Sequence, residues 1–222
     1  SGSHIVFCTG AGSLHAPITR QFPLQIIRGQ TSIAPATEDS RALKTALSAA
    51  SYISPAWQGR HCFGATFAPN NPDTAWQAED ERHNRQALSQ LNEPLHRSLS
   101  AAWGNESSLH PAERGHAALR CDSPDHLPVV GALGDIAAMQ TAYAKLALDK
   151  NYRLDNVPCP YLPNAYINTA HGTRGLATAP VCAAAIAADI LGLPQPLSQR
   201  LRTALHPNRA VIRAIVRQQS LL

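Results

Sequence analysis

The sequence contains no GxGxxG and no CxxC, and its apolar runs are short. The first absence removes the common phosphate-cradling fingerprint of dinucleotide sites. Five cysteines, at positions 8, 62, 121, 159 and 182, are an odd number without paired spacing. That argues against a disulfide framework and against a structural zinc site, so no metal is expected. Scattered thiols suit a reducing compartment, and a cytoplasmic location is expected. The longest apolar stretch, Ala177 to Leu193, is interrupted by Pro180 and Asp189. It reads as too short to span a bilayer, so no membrane partner is expected. Charged residues make up only 15% of the chain, which excludes a disordered polar tract.

What is present is apolar substance: 44% hydrophobic residues in 222, enough for one large domain or two small ones. The net charge of +4 admits a polyanionic partner without requiring one. Along the chain, "HIVFCTGAG" (His4–Gly12) is β-branched and apolar and ends in glycines, and predicts a buried parallel strand running into a tight turn. It comes so early that the latter half of a larger domain is expected. From Pro23 to Phe67 the pattern is strand-like, with "AWQGRHC" as a hairpin turn and Gly59 supplying positive φ. Asp80 to Ala102 predicts a helix, with Ala87, Leu88, Leu91, Leu95 and Leu99 inward and a charged face outward. "GHAALRC" predicts another strand, and Ala137 to Leu148 a short helix. Near the end "AYINTA" predicts a strand, and Thr178 caps a helix that holds Pro180 in its first turn. That helix stops at Gly192, and two short helices follow. An α/β lobe interrupted by an antiparallel, β-rich lobe is the architecture this order implies.

Three motifs carry chemistry. In "CTGAG" a glycine turn after a strand lets backbone approach a ligand, although such turns also serve packing alone. In "RCDSPDHLPVVG" Arg120 stands at a strand end, where a guanidinium forks onto a carboxylate. The competing reading pairs it with Asp122 or Asp125. In "AHGTRGLATAP" the amides of Gly172 to Leu176 converge on a helix N-terminus and favour negative charge, unless the segment is an ordinary strand-to-helix turn.

Taken in order, TGAG after a strand, R-x4-D-x2-P-x2-G and HG-x2-G-x4-P resemble the FAD-dependent D-amino-acid oxidase and glycine oxidase family. "ASYISP" around Tyr52, "RGQ" at Arg28–Gln30 and "HCFGAT" at His61–Thr66 resemble that family's substrate-domain strands. The tail "PLSQRLRTALHPNR" resembles a tRNA-modifying branch, in which a methyltransferase part precedes the oxidase. The resemblance covers essentially all 222 residues, without the GxGxxG unit that holds the FAD pyrophosphate in the family.

The resemblance implies the latter half of an FAD-dependent oxidase fold, α/β plus antiparallel β. Residues 1–17 would close the FAD-binding lobe's strand and turn, 18–125 form the β-rich substrate lobe, and 126–222 return to the FAD-binding lobe. It implies a carboxylate-binding role for Arg120 and a pocket role for Tyr52. Gly10, Ala11 and Gly12 would face the adenosine–pyrophosphate side of FAD. His171, Gly172, Thr173, Arg174, Gly175 and Leu176 would face its pyrimidine edge, with His171 positioning rather than catalytic. The implied reaction removes the carboxymethyl arm of carboxymethylaminomethyl(-2-thio)uridine at the tRNA wobble position, with oxygen as electron acceptor. The alternatives are a free glycine or D-amino-acid oxidase, or a catalytically incomplete fragment. S-adenosylmethionine would serve only the methyltransferase part. Arg200, Arg202, Arg209, Arg213 and Arg217 would either meet tRNA phosphates or simply be solvated, with Val211, Ile212, Ile215 and Val216 packed inward.

Overall fold

The computed structural model describes residues 3–103 and 114–219. The chain divides into two compact units, one made of residues 1–26 with 120–222 and the other of 27–119.

In the first unit a three-stranded sheet has the order β1 (Ile5–Phe7), β9 (Tyr161–Thr169), β8 (Val129–Gly134). β1 runs parallel to β9 with Ile5 opposite Ala165 and Phe7 opposite Ile167, and β8 is antiparallel to β9. β1 is an edge strand. Ile5 and Val6 are 57% and 40% exposed, where the sequence predicts burial. The apolar, β-branched run predicts the strand correctly but cannot report that only one side of it is paired. One sheet face packs on Leu133, Met139, Ile167 and Val211, joined by α3 (Ile136–Ala142) and Phe22. On the other, Val130 of β8 meets Cys182 and Ile186 of α4 (Gly175–Leu191) and Leu205 of α5 (Gln199–Leu205). The last helix, α6 (Asn208–Arg217), buries Val211 and Ala214. Ile212, expected inward, is 37% exposed, because it lies on the helix flank beside Arg213.

α4 does not begin at Thr178. It begins at Gly175 after a 3-10 turn over Gly172–Arg174, and Thr178 lies inside it, donating to the Arg174 carbonyl at 3.0 Å. Pro180 is therefore past the first turn, in the helix interior. The expected end holds: Gly192 is left-handed at φ 66° and its N–H reaches Ala188 O. The helical run Gly172–Leu191 is long and apolar enough, by length and composition, to cross a membrane, contrary to the expectation that it is too short. Here it lays Cys182, Ala185, Ile186 and Ala188 inward and packs on β8 and β9.

The second unit is built on a six-stranded sheet. Its order is β3 (Leu47–Ser48), β4 (Tyr52–Ile53), β5 (Arg60–Gly64), β2 (Gln25–Pro35), β6 (Ala68–Pro69), with β7 (Gly115–Asp122) also paired to β2. Two helices, α1 (Ala78–Leu91) and α2 (Glu93–Ser100), replace the single helix read from sequence. They meet at Asn92, whose extended backbone ends α1 and whose side chain caps α2 through Leu95 N. Leu88 and Leu99 are fully buried with Ala34, Ile53 and Phe63.

The supposedly charged outer face of α1 is not all outside. Glu81 and Asn84 are 2% and 1% exposed. They dock on a buried polar strand stripe, Arg28, Gln30 and Ser32 of β2. Asn84 Nδ2 donates to Gln30 O at 2.9 Å and Ser32 Oγ at 3.0 Å, and Ser32 donates to Glu81. Arg28 pairs with Asp80 and donates to Gln30 Oε1 and Ala75 O. Buried charge is stable only when so compensated. Arg28→Ala therefore removes the partner of Asp80 and of the Ala75 carbonyl, while Gln30 Oε1 keeps its bond from Gln77 N. We expect it to lower unfolding free energy by about 3–5 kcal/mol, measured by urea denaturation; a loss below about 1 kcal/mol would contradict this role for the network.

Candidate functional site

Parallel pairing makes β1 and β9 end at the same edge of their sheet, and in parallel sheets the carboxyl edge is where ligands bind. β1 leads into a 3-10 turn, Gly10–Leu14, with Gly10 at φ 52°. β9 leads through Ala170 at φ 60° into Gly172 at φ 55° and then α4. Three hydroxyls join the two turns. Thr9 Oγ1 meets Ser13 Oγ at 2.7 Å, Ser13 Oγ meets Thr169 Oγ1 at 3.3 Å, and Thr169 Oγ1 lies 3.5 Å from Gly10 O. Ser13 and Thr169 are 0% and 2% exposed, so these bonds are made without water's competition. Gly10, Ala11 and Gly12 are thus brought beside the Gly172–Leu176 turn.

The start of α4 has no side-chain cap and no acidic residue in its first turn. Thr173 and Arg174 are exposed and Leu176 is 99% exposed. Orphan N–H groups and the positive end of the helix dipole are therefore open on this side. His171 is fixed at both nitrogens, Nε2 to Asn168 Oδ1 at 2.9 Å and Nδ1 to Thr178 Oγ1 at 2.8 Å. Burial lowers its pKa below the ordinary histidine value, so the ring is neutral at pH 7. In the neutral tautomer that fits, Nε2–H donates to Asn168 Oδ1, and Nδ1 is an acceptor facing Thr178 Oγ1, whose single proton goes either to it or to the Arg174 carbonyl.

Beneath Gly172 sits Asp122, 5% exposed. A Cβ on Gly172 would come within 3.2 Å of its Oδ1. Asp122 accepts from Ser123 N at 2.9 Å and contacts His126 Nδ1 at 2.6 Å. Asp125 is taken by Arg209, through Nε at 3.1 Å and Nη2 at 3.0 Å, and by Arg213 at 3.3 Å. The Arg209 hydrogen bond holds the Asp125 carboxyl well below the usual range. Neither aspartate is paired with Arg120, so the competing reading of that arginine does not hold. Arg120 is half-buried on β7, and among the described residues its guanidinium has no hydrogen bond or ion pair. It is two residues from Asp122, so both side chains leave the same face of the strand.

Tyr52 lies in the other unit, on β4, opposite Ser48 and Gly64, and is 37% exposed. Of the tail arginines, Arg209 and Arg213 are bound to Asp125 and Arg202 to Asp189 at 2.7 Å, while Arg200 and Arg217 are exposed. Among the described residues no group of three or more His, Cys, Asp or Glu is arranged to hold a metal. Sequence reading missed Ser13, Asn168 and Thr169, and named Asp122 only as a partner for Arg120. The available signal was polar residues at the ends of two apolar strands, "CTGAGS" and "INTAHG".

The family model for FAD dependent oxidoreductases matches residues 1–189. The tRNA 5-methylaminomethyl-2-thiouridine biosynthesis bifunctional protein MnmC of Pseudomonas putida is 38% identical over 213 residues, 96% of this chain and 32% of that protein. Its counterpart in Pseudomonas syringae pv. tomato is 41% identical over 197 residues, 89% of this chain and 29% of that protein. The chain thus spans about a third of the length of these curated relatives. Among solved structures, glycine oxidase from Geobacillus kaustophilus matches with TM-score 0.66 at 14% identity, over 94% of this chain and 46% of that one. Iminodiacetate oxidase from Chelativorans sp. BNC1 matches with TM-score 0.65 at 15% identity, over 90% and 46%. At such identities the structures speak for a shared fold.

Two outcomes are expected from this geometry. Gly172→Ala should cost at least about 1 kcal/mol from the left-handed backbone, with the Asp122 contact added. Gly175→Ala should be neutral or stabilise by up to about 1 kcal/mol, since Gly175 is helical and its Cβ would meet only His171 Cβ at 3.7 Å. Thermal unfolding of the two variants distinguishes them, and equal effects would contradict the argument. For Asp125 the folded pKa is depressed, so its stabilisation is present above the unfolded value and lost as pH falls. The stability gap between wild type and Asp125→Asn should be full at pH 7 and shrink below about pH 4, by denaturant titration at each pH.

Proposed function

Since the chain belongs to the FAD dependent oxidoreductase family, we propose that it forms part of an enzyme that oxidises a carboxymethyl-substituted amine on tRNA. The substrate in this reading is carboxymethylaminomethyl(-2-thio)uridine at the wobble position. The products are aminomethyluridine and glyoxylate. The identity of 38–41% with the bifunctional MnmC proteins supports the tRNA substrate over free glycine or a D-amino acid. One observation carries the chemistry: Arg120, half-buried and without an internal partner among the described residues, on the same strand face as the Asp122 under the Gly172 turn.

The residues present fit one edge of a flavin. Gly172 has a left-handed backbone and little space beside Asp122, and the uncapped α4 start offers N–H groups to an electron-rich ring edge. Gly172, Thr173, Arg174, Gly175 and Leu176 would hold that edge, with His171 fixing the loop. Gly10, Ala11 and Gly12 would hold the adenosine–pyrophosphate side. When bound, FAD supplies the two-electron acceptor.

Arg120 binds the substrate carboxylate through paired N–H donors and so sets the position of the neighbouring CH2. Tyr52 is proposed as a substrate-contacting residue of the second unit. Loss of hydride from that CH2 leaves an imine between carbon and the substrate nitrogen. Water adds to the carbon, the C–N bond breaks, glyoxylate leaves with the former water oxygen, and the nitrogen remains on the uridine as an amine. An unprotonated amine needs no base for hydride loss, so no acid–base residue is assigned. We propose oxygen as the terminal acceptor, a cytoplasmic location where tRNA is found, and S-adenosylmethionine only for a methyltransferase part outside these residues.

Nucleoside mass spectrometry of tRNA treated with the flavin-loaded protein tests the reading. Conversion of the carboxymethylaminomethyl nucleoside is expected, and oxidation of glycine alone would overturn it. Arg120→Ala should lower kcat/KM by about 10- to 100-fold, the loss of hydrogen bonds to a charged group. Arg120→Lys should recover part of it, and unchanged kinetics in Arg120→Ala would remove the assigned role.

A further inference from the structure

The hairpin between β4 and β5 turns at Gln58–Gly59, with φ of 48° and 75°. Trp57 N donates to Arg60 O at 2.8 Å and Arg60 N to Trp57 O at 3.0 Å. This is a two-residue turn of the I′ kind, which matches strand twist and is rigid for its size. It presents Trp57 at 77% exposure. The other two tryptophans are engaged: Trp103 with Phe63, His96 and Arg85, and Trp76 with Arg114. Among the described residues Trp57 has no ring or cation contact. A single exposed apolar side chain is common and means little alone. Its hairpin neighbours Pro55, Ala56 and Gly59 line a groove of about 400 Å³ together with Arg41, Leu43 and Lys44, while Trp57 itself lies outside that lining. The groove's charged lining is wholly cationic, Arg41 and Lys44, and Arg60 closes the turn. Glu38 and Asp39 stand at the start of the same 3-10 turn as Arg41 and are exposed, but they are not part of the lining.

We propose that this end of the second unit is a binding platform for single-stranded RNA, in which an unstacked base lies on Trp57 and its flanking phosphates meet Arg41 and Lys44. A rigidly held indole loses little entropy on stacking, and stacking accepts any base. Cations spaced along a groove follow a phosphate backbone, and a carboxylate-free lining does not repel it. The volume is within the range of sites for small ligands and accommodates one nucleotide rather than a helix. An acidic peptide would also meet the cations, but it carries no planar face for an exposed indole. The proposal rests on the tRNA reading above and deepens it, since a wobble base must leave its stack to be modified.

The test uses the full chain and a fluorescein-labelled single-stranded oligouridylate, read by anisotropy at several salt concentrations. Trp57→Ala should weaken binding by about 5- to 100-fold with the salt slope unchanged. Trp57→Phe should retain most of the affinity. Arg41→Ala/Lys44→Ala should reduce the slope of log K against log salt by about 0.7 for each phosphate no longer neutralised. Indole emission should be quenched by RNA in wild type but not in Trp57→Phe, where Trp76 and Trp103 remain. Undiminished binding by Trp57→Ala, quenching that survives Trp57→Phe, or equal competition by polyglutamate would each overturn the platform. The two readings fail separately. RNA-dependent quenching without conversion of the modified nucleoside removes the reaction and leaves the platform, whereas conversion with unaltered binding and KM in Trp57→Ala removes the platform alone.

Discussion

Parallel pairing of three residues, Ile5–Phe7 against Ala165–Ile167, is the contact on which the candidate cofactor site depends. Antiparallel pairing would send the two strand ends to opposite edges of the sheet. Parallel pairing sends both to one edge, and so the Gly10 turn and the Gly172 turn become neighbours. So short a ladder is weak by itself. Its geometry is secured by the hydroxyl relay from Thr9 through Ser13 to Thr169, residues up to 156 positions apart in a single bond. The relay is buried, and a missing member would leave its partner without a hydrogen bond where water cannot replace it. Ser13 and Thr169 therefore do more than fill space, because they fix the distance between two turns whose ligand would bridge them.

The second determinant is steric. Gly172 needs a left-handed backbone and space beside Asp122, while Gly175 needs neither. The motif letters treat these glycines alike, but the structure separates them. One permits a close approach at the turn, and the other merely starts a helix. His171, just before Gly172, is held by Asn168 and Thr178 on both ring nitrogens, which fixes the loop and leaves no ring nitrogen to exchange protons with a ligand.

Much of this was legible in the sequence because it is local. The Gly59 hairpin, the Gly192 stop, the last two helices and the glycine turns follow from residue types that demand particular backbone angles. The misses share a different cause. Thr178 looks like a cap, yet the helix reaches back to Gly175 because the turn before it is already wound as 3-10, and Thr178 then commits its hydroxyl to Arg174 O and His171. Glu81 and Asn84 look like a solvated face, yet β2 opposes them with Arg28, Gln30 and Ser32, a polar stripe on a strand some 50 residues away. Ile5 and Val6 look buried, yet among the described residues β1 has a strand on one side only. Periodicity tells which face of an element is apolar. It does not tell what the opposite element offers, and polar-to-polar docking is invisible until the partner is known.

Two arginines show how the partner decides. Arg28 is 1% exposed and has a carboxylate, an amide oxygen and a backbone oxygen around it. Its burial is compensated within the chain, and its role is to fasten α1 to the sheet. Arg120 is half-buried, and the two aspartates within reach in sequence are committed elsewhere, Asp122 to His126 and Ser123 N, Asp125 to Arg209 and Arg213. A guanidinium desolvated even in part without a counter-charge is held at a cost. A ligand carboxylate removes that cost, and an amine lacking a carboxylate does not. In the proposed reading, Arg120, which has no hydrogen bond or ion pair among the described residues, would favour amines that carry an acid group one carbon from the nitrogen.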